Sequence, residues 1–184
     1  RSKDETQSTS SKILGKFGRI NEKAQEHIIA TRLEQRYTKK EILTMYLNQF
    51  DYLYNAVGIE NAATVYFNKT AAELSKTEAA TLVGMCKNPG LYNPYSYQIR
   101  NYARRLASRN NLTPADISTK EIDDARSKDS LRAIERRNQV LFQWLRNSNS
   151  NNTALHNKIT REEYDSLKMT PIVVSYTTVD HKEG

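Results

Sequence analysis

Hydrophobic residues near the start of the chain recur with the spacing of an amphipathic helix. Between residues 21 and 36, Ala24, Ile28, Ile29 and Leu33 fall on one side of such a helix, and charged residues occupy the rest of its surface. The pattern therefore predicts a helix that begins near residue 21 and has one apolar side.

The same local start signal for a helix recurs along the chain. In a capping box, a Ser or Thr stands three residues before a Glu, and the two side chains satisfy backbone N–H groups of the first turn. This spacing occurs in TKKE (38–41), TAAE (70–73), SKTE (75–78) and TREE (160–163). A weak strand signal is confined to PIVVSYTTV (171–179). Together these patterns predict an all-α fold.

Composition narrows the range of partners. The formal net charge of +7 favours an anionic partner, although such a charge can also serve solubility alone. The basic residues are dispersed among acids and form no recognised nucleic-acid motif, so nucleic acid is not an expected partner. Cys86 is the only cysteine, and the 3 histidines lack metal-ligand spacing, so no metal site is assigned. No apolar run reaches the length of a membrane span.

Three short segments could carry chemistry, and each also has a purely structural interpretation. Lys23 and Glu26 stand one helical turn apart, which is typical of a solvated ion pair but also places both groups on one face of a site. KNPGLYNP (87–94) is either a helix-to-helix corner or part of a binding cleft. In ERRNQVL (135–141), a pair of arginines on a helix is usually a solvated face. From the residues alone, the alternatives stay open.

The joint order of these segments resembles a known family. The chain carries KAQEHIIATRLEQRYTKKEILTMYLNQ (23–49), then NAVGIENAATVYFNKTAAELSKTEAATLVGMCKNPGLYNP (55–94), and later ERRNQVL. In this order they resemble the glycosyltransferase domain of class A penicillin-binding proteins, the family 51 peptidoglycan glycosyltransferases. The resemblance covers about half of the chain and implies a lysozyme-like, mostly helical domain.

The chain also departs from the family pattern. The family's principal catalytic glutamate lies in an E-D-x-x-F-x-x-H-x-G segment, which does not occur here, and Glu22 stands where the family usually has arginine. We therefore expect a domain that is incomplete at its N-terminus, lacks the general base and is inactive alone. The predicted organisation is a flexible basic N-terminal segment (1–20), core helices with the cleft motifs (21–96), a charged helical insertion (97–134), C-terminal helices of the same domain (135–170) and the start of a linker to a following domain (171–184).

The resemblance implies that lipid II is polymerised into glycan strands with release of undecaprenyl diphosphate. By this resemblance Lys23 and Glu26 are catalytic residues on the phosphate side of the site. Lys87 and Asn93 bind substrate along the cleft, with Asn93 fixing the loop, and a divalent cation is a candidate cofactor at the diphosphate. Lys16 and Arg19 are further candidates for contact with the phosphates, and a surface role remains open for each.

The expected partners are lipid II and the growing glycan strand. The resemblance also implies a location on the outer face of the cytoplasmic membrane, held there by parts that this sequence does not contain, and a C-terminal transpeptidase domain. The alternative hypothesis is a non-catalytic helical interaction module that binds anionic lipid or a protein partner, since the general-base segment is lacking.

Overall fold

The computed structural model describes residues 23, 25–98, 102–149 and 157–176. The chain divides into two compact units, Arg1–Tyr46 and Leu47–Gly184. Within the described residues the regular structure is helical, and the only β-pairing is an isolated bridge between Asp51 and Val57. The prediction of an all-α fold is confirmed.

The first unit contains helix α1, residues 25–36, which lies where the apolar periodicity predicted it. Its apolar side is uncovered: 53% of Ile28, 58% of Ile29 and 37% of Leu33 is exposed to solvent. Ala24, the fourth residue of the predicted stripe, lies outside the described residues. Helix α1 thus has the amphipathic pattern of a packed helix but buries none of its described side chains.

Helix α2, Lys39–Gln49, begins at the first capping box. The Thr38 backbone N–H donates to the Glu41 carboxylate at 2.7 Å, and the Glu41 N–H donates to the Thr38 hydroxyl at 3.3 Å. The hydrogen bonds from the Thr38 backbone and hydroxyl lower the pKa of Glu41. The predicted start of this helix is therefore confirmed in its atomic detail.

The second unit contains the remaining helices of the described part of the chain. They are α3 (Ile59–Phe67), α4 (Lys76–Met85), α5 (Pro89–Tyr92), α6 (Tyr95–Gln98), α7 (Tyr102–Arg109), α8 (Thr119–Ser148) and α9 (Arg161–Met169). The long helix α8 packs against α4, α5, α6, α7 and α9. The segment predicted to be β-like, as far as residue 176, forms no strand, and its Ser175 N–H donates to the Tyr66 carbonyl at 2.9 Å.

The main core lies between α3, α4 and the loop before α3. Tyr52, Tyr66, Leu82 and Met85 are each fully buried there. Such burial stabilises each side chain by about 1.5–3 kcal/mol, so this cluster dominates the packing of the second unit. Cys86, at the end of α4, packs against the same core, and burial raises the pKa of its thiol, consistent with a structural rather than a nucleophilic cysteine.

Close approach of the backbone explains the glycine that precedes α3. Gly58 has a φ of 85°, and a Cβ added to it would lie 2.6 Å from the carbonyl oxygen of Asn48. Any side chain at this position would therefore clash with backbone. Ala62 and Ala63, one turn into α3, are fully buried, and their small side chains allow close packing of this helix.

A second buried cluster falls in the predicted insertion, 97–134. Tyr102, Leu106 and Ile117 pack with Ala133 of α8, so the described part of this stretch has a small core of its own. Helix α8 runs without a break from Thr119 to Ser148. The boundary predicted at residue 134 therefore coincides with no helix end. The amino-acid composition changes at this position, but the helical conformation of the backbone continues through it.

The loop before α3 has an unusual backbone. Leu53, Tyr54 and Asn55 have successive φ values of 67°, 52° and 64°, in the left-handed region that bulky residues seldom adopt. The Tyr66 hydroxyl donates to the Tyr52 carbonyl at 2.7 Å and lies 3.2 Å from the Leu53 carbonyl. These contacts from the core hold the loop in its strained conformation.

Candidate active site

Lys23 and Glu26 meet on the surface of the first unit. The Lys23 Nζ lies 2.5 Å from the Glu26 Oε2, and 77% and 62% of the two side chains are exposed. A pair with this geometry adds only about 0.2–0.5 kcal/mol to helix stability. The pair therefore contributes little to the stability of the helix, and both charges are accessible to a ligand. The other candidate phosphate contacts of this unit, Lys16 and Arg19, lie outside the described residues.

The segment KNPGLYNP forms the tight corner after α4. The Asn88 side chain caps the one-turn helix α5 by accepting the Leu91 N–H at 3.0 Å, and Pro89 occupies the first helical position. Lys87 precedes this cap and is exposed. Local sequence thus fixes the corner and leaves Lys87 at its outer side.

Asn93 closes the corner from inside the protein. It is 1% exposed, and its amide group donates to the Tyr66 hydroxyl at 2.7 Å and to the Tyr52 carbonyl at 3.3 Å. Its side-chain oxygen accepts the Tyr95 N–H at 2.9 Å. Burial, partly offset by the Asn93 hydrogen bond, raises the pKa of Tyr66 well above its usual range, so the phenol stays protonated and can donate. The contacts of Asn93 are those of a residue that fixes the loop.

An arginine of α7 joins the corner to the strained loop. Arg105 donates to the Tyr54 hydroxyl at 2.6 Å and to the Gly90 carbonyl at 3.2 Å. The sequence analysis missed this residue, because it lies in the predicted insertion and its partners are 51 and 15 positions away. The predicted insertion therefore contributes directly to the position of the cleft segment.

The two arginines of ERRNQVL have different surroundings. Arg137 is 1% exposed and donates to the backbone carbonyls of Thr170 and Lys168, so it ties α8 to the end of α9. The interpretation of this pair as a solvated face is wrong for Arg137, because helix α8 is covered on that side. Arg136 is half-buried, and its Nε donates to the Gly84 carbonyl at 3.2 Å, beside the Lys87 corner.

Lys23 and Glu26 thus belong to the first unit, and Lys87 and Asn93 to the second. Across the described ranges there is no group of three or more His, Cys, Asp or Glu side chains that could hold a metal ion. Nor does any helix in those ranges have the length and apolar character needed to cross a membrane.

Comparison with known proteins decides the family. The sequence model described as transglycosylase matches residues 5–113, which include Lys23, Glu26, Lys87 and Asn93. The chain belongs to the transglycosylase family. The matched range also includes residues 97–113, the first part of the predicted insertion.

The relatives of this transglycosylase domain are penicillin-binding proteins. The chain is 40% identical over 96 residues to penicillin-binding protein 2a of Streptococcus pneumoniae, covering 52% of this chain and 13% of that protein. It is 37% identical over 107 residues to penicillin-binding protein 1A of Escherichia coli, covering 58% of this chain and 13% of that protein.

A solved structure is also similar. The crystal structure of penicillin-binding protein 1A from Haemophilus influenzae aligns with a TM-score of 0.49 and 30% identity, over 77% of this chain and 15% of that one. The family resemblance found in the sequence is confirmed by the match over residues 5–113. The chain spans only a small part of the relatives that it matches.

Proposed function

We propose that this domain belongs to a peptidoglycan glycosyltransferase that polymerises lipid II into glycan strands and releases undecaprenyl diphosphate. The observation that carries the proposal is the match to the transglycosylase family over residues 5–113, which contain the Lys23 and Glu26 pair and then KNPGLYNP. The names of the relatives, all penicillin-binding proteins, support a role in building the cell wall.

Such a reaction joins a sugar hydroxyl to the anomeric carbon of the growing strand, while the lipid diphosphate leaves. It needs a base for the hydroxyl proton and positive charge to offset the charge that grows on the leaving diphosphate. The family's general base lies in a segment that this sequence does not contain, and we assign that role to no residue here. We propose that the 184-residue chain alone does not polymerise lipid II.

Lys23 and Glu26 serve the leaving group in this proposal. The Lys23 ammonium is a compact cation that can approach a phosphate oxygen. The Glu26 carboxylate repels phosphate, so its role is to orient Lys23, as their 2.5 Å contact supports. If a divalent cation binds at the diphosphate, Glu26 would help to hold it, and the cation would supply further positive charge for the leaving group. Lys87 contacts substrate from its exposed place on the corner, and Asn93 keeps that corner in shape.

The remaining parts of the proposal follow from the family. We propose that the complete protein works on the outer face of the cytoplasmic membrane, where it meets lipid II and the growing strand, and that it carries a transpeptidase domain. The alternative function is a non-catalytic module that binds anionic lipid or a protein partner. The exposed apolar side of α1 favours that alternative.

The experiment replaces Lys23 by Ala and Glu26 by Gln, one at a time, in the complete parent protein. We expect each change to reduce lipid II polymerisation by more than about tenfold, because Lys23→Ala removes the cation at the leaving diphosphate and Glu26→Gln weakens the contact that orients that cation. Polymerisation is followed by the appearance of glycan chains, and helix content by circular dichroism.

Glu34→Gln provides the matched control, since Glu34 is an exposed carboxylate on the same helix. We expect it to polymerise at the wild-type rate. If Lys23→Ala and Glu26→Gln also work at that rate, the pair is a surface ion pair and the proposed role is wrong. Glycan chains made by the purified 184-residue chain would contradict its proposed inactivity.

A further inference from the structure

We propose that Tyr176 is a positioning residue that holds the KNPGLYNP corner in its observed place. Tyr176 ends segment 170–176, which follows α9 and lies well beyond the family match that ends at residue 113. Its ring acts on the corner through Tyr95 and Tyr54. The effect on substrate binding rests on the proposed function, in which Lys87 of the corner contacts substrate. The positioning itself rests on the contacts of Tyr176.

Hydrogen bonds hold both ends of segment 170–176 against the second unit. At its start, the buried Arg137 donates to the Thr170 carbonyl. Near its end, the Ser175 N–H donates to the Tyr66 carbonyl at 2.9 Å. That carbonyl lies in the last turn of α3, where C=O groups have no partner within the helix, so the segment supplies the missing donor. The backbone next to Tyr176 is therefore fixed beside α3.

The side chains of the segment alternate between solvent and core. Val174 and Tyr176 pack against the main core, whereas 67% of Val173 is exposed and Ser175 is exposed as well. An extended chain directs successive side chains to opposite sides, which explains the alternation. The fixed backbone and this alternation together turn the Tyr176 ring toward the core.

Three tyrosines of the second unit contact the Tyr176 ring. The Tyr95 ring stacks on it, with the ring centres 3.9 Å apart and the planes 12° apart. The ring centres of Tyr54 and Tyr66 lie 6.4 and 6.5 Å away, the first edge to face and the second tilted. Such aromatic pairs attract each other beyond the area that they bury. Tyr176 is thus a common neighbour of the other three rings.

Two of these tyrosines are hydrogen-bonded to Asn93 of the corner. The Tyr95 N–H donates to the Asn93 side-chain oxygen at 2.9 Å, and the Asn93 amide donates to the Tyr66 hydroxyl at 2.7 Å. The stack with Tyr176 fixes the Tyr95 side chain, and the Tyr95 backbone N–H in turn holds Asn93. A shift of Tyr95 would therefore weaken a bond that closes the corner from inside.

The third tyrosine leads to a second point of the corner. The Tyr54 hydroxyl accepts from Arg105 at 2.6 Å, and the same guanidinium group donates to the Gly90 carbonyl at 3.2 Å. Tyr54 also packs edge to face on Tyr95 at 4.9 Å, so the two routes share a neighbour. Two separate points of the corner thus depend on groups that pack against Tyr176, and removal of its ring would loosen both.

Amide hydrogen exchange of the 184-residue chain tests the positioning. We expect Tyr176→Ala to reduce the protection of the Tyr95 N–H by about tenfold more than that of the Leu141 N–H in the buried part of α8. Tyr176→Phe keeps the stacked ring and should match wild type. Val173→Ala, at the exposed position of the same segment, is the control and should also match wild type.

A ring that only adds to the stability of the whole unit would give a different result. In that case Tyr176→Ala lowers the protection of Tyr95 and Leu141 by the same factor, and the proposal is overturned. Unchanged protection of Tyr95 overturns it as well. If Tyr176→Ala fails to fold, Tyr176→Leu keeps apolar bulk without a stacked ring, and wild-type protection of Tyr95 in that variant overturns the proposal.

Steady-state kinetics of the complete parent protein test the consequence for substrate. We expect Tyr176→Ala to raise the KM for lipid II by about tenfold and to leave kcat within about twofold of wild type, because a displaced corner weakens substrate binding by Lys87. Tyr176→Phe should restore the wild-type KM, and Val173→Ala should keep it. A loss confined to kcat, or an unchanged KM in Tyr176→Ala, overturns the link to substrate.

The two experiments separate this proposal from the proposed function. If the complete protein does not polymerise lipid II, the proposed function fails, and hydrogen exchange still decides whether Tyr176 positions the corner. If polymerisation proceeds and the Tyr95 N–H is equally protected in wild type and Tyr176→Ala, only the positioning proposal fails.

Discussion

At the scale of single residues, Asp129 makes the densest polar network in the second unit. Only 5% of Asp129 is exposed, and its carboxylate accepts hydrogen bonds from Tyr102 at 2.8 Å, Arg132 at 2.9 Å and Arg109 at 3.3 Å. Burial, together with the bond to Asp129, raises the pKa of Tyr102 to about 12. The network joins α7 to α8, so its loss should destabilise both helices.

We expect Asp129→Ala to lower the free energy of unfolding by about 2–3 kcal/mol, because it leaves a buried phenol and two arginines without their acceptor. Tyr102→Phe keeps the ring and removes one hydrogen bond, so its effect should be about 1 kcal/mol. Urea denaturation measures both. Asp123→Ala, at an exposed position of α8, should stay within about 0.5 kcal/mol of wild type. An equally small effect of Asp129→Ala would show that the network does not stabilise the fold.

Some residues can be singled out from the sequence and others cannot, for a physical reason. Lys23, Glu26 and Lys87 could be proposed as site residues because they belong to short motifs whose order indicates the family. The contacts of Arg105 and Asp129 could not be predicted, because their partners are brought close only by folding. A hydrogen bond across 51 positions, such as that of Arg105 to Tyr54, leaves no trace in local spacing.

At the scale of secondary-structure elements, the start of α4 combines a capping box with an ion pair. The Ser75 N–H donates to Glu78 at 2.8 Å, and the Lys69 Nζ lies 2.8 and 2.9 Å from the two carboxylate oxygens. Burial raises the pKa of Glu78, but the hydrogen bonds from Lys69 and Ser75 outweigh it and lower the pKa below its usual value of 4.5. The ionised carboxylate is therefore favoured by folding.

We expect Glu78→Gln to lower the free energy of unfolding at pH 7 by about 1 kcal/mol. Because the folded-state pKa of Glu78 is lowered, its contribution is fully present above the unfolded-state pKa and is lost as the pH falls through the folded-state pKa. The difference between wild type and variant should therefore shrink as denaturation is repeated at pH values below 4.5.

Glu135→Gln serves as the control, since that carboxylate is exposed on α8, and it should unfold as wild type does. A difference between wild type and Glu78→Gln that stays constant down to pH 2 would contradict this account of the cap.

The helix starts could be predicted because a capping box lies within four residues. TKKE, TAAE and SKTE each form the two reciprocal hydrogen bonds of a capping box. In TREE, the Glu163 backbone N–H donates to the Thr160 hydroxyl. The extent of α8 could not be predicted in this way. Its composition changes near residue 134, but the structure shows one continuous helix on both sides of that position, packed against its neighbouring helices.

At the scale of the whole molecule, the described residues of the two units differ in how much apolar surface they bury. The second unit has two buried clusters. Helix α1 of the first unit buries none of its described side chains. Local stability follows burial, so the units should open with different free energies.

Amide hydrogen exchange of the 184-residue chain tests this difference. We expect the amides of residues 25–36 to exchange with little protection and those around Leu141 and Leu145, which are buried in α8, to approach the free energy of global unfolding. Limited trypsin digestion should accordingly cut first after Arg32 or Arg36. Protection in α1 equal to that in α8 would contradict the expectation.

The left-handed loop at Leu53, Tyr54 and Asn55 also suggests where the thermal stability of this domain could be increased. A bulky residue in that conformation is disfavoured by about 1–2 kcal/mol, whereas glycine adopts it freely. The two bulky positions, Leu53 and Tyr54, therefore hold a reserve of thermal stability that the natural sequence leaves unused. Leu53 is the better starting point for engineering, because the Tyr54 hydroxyl is an acceptor for Arg105.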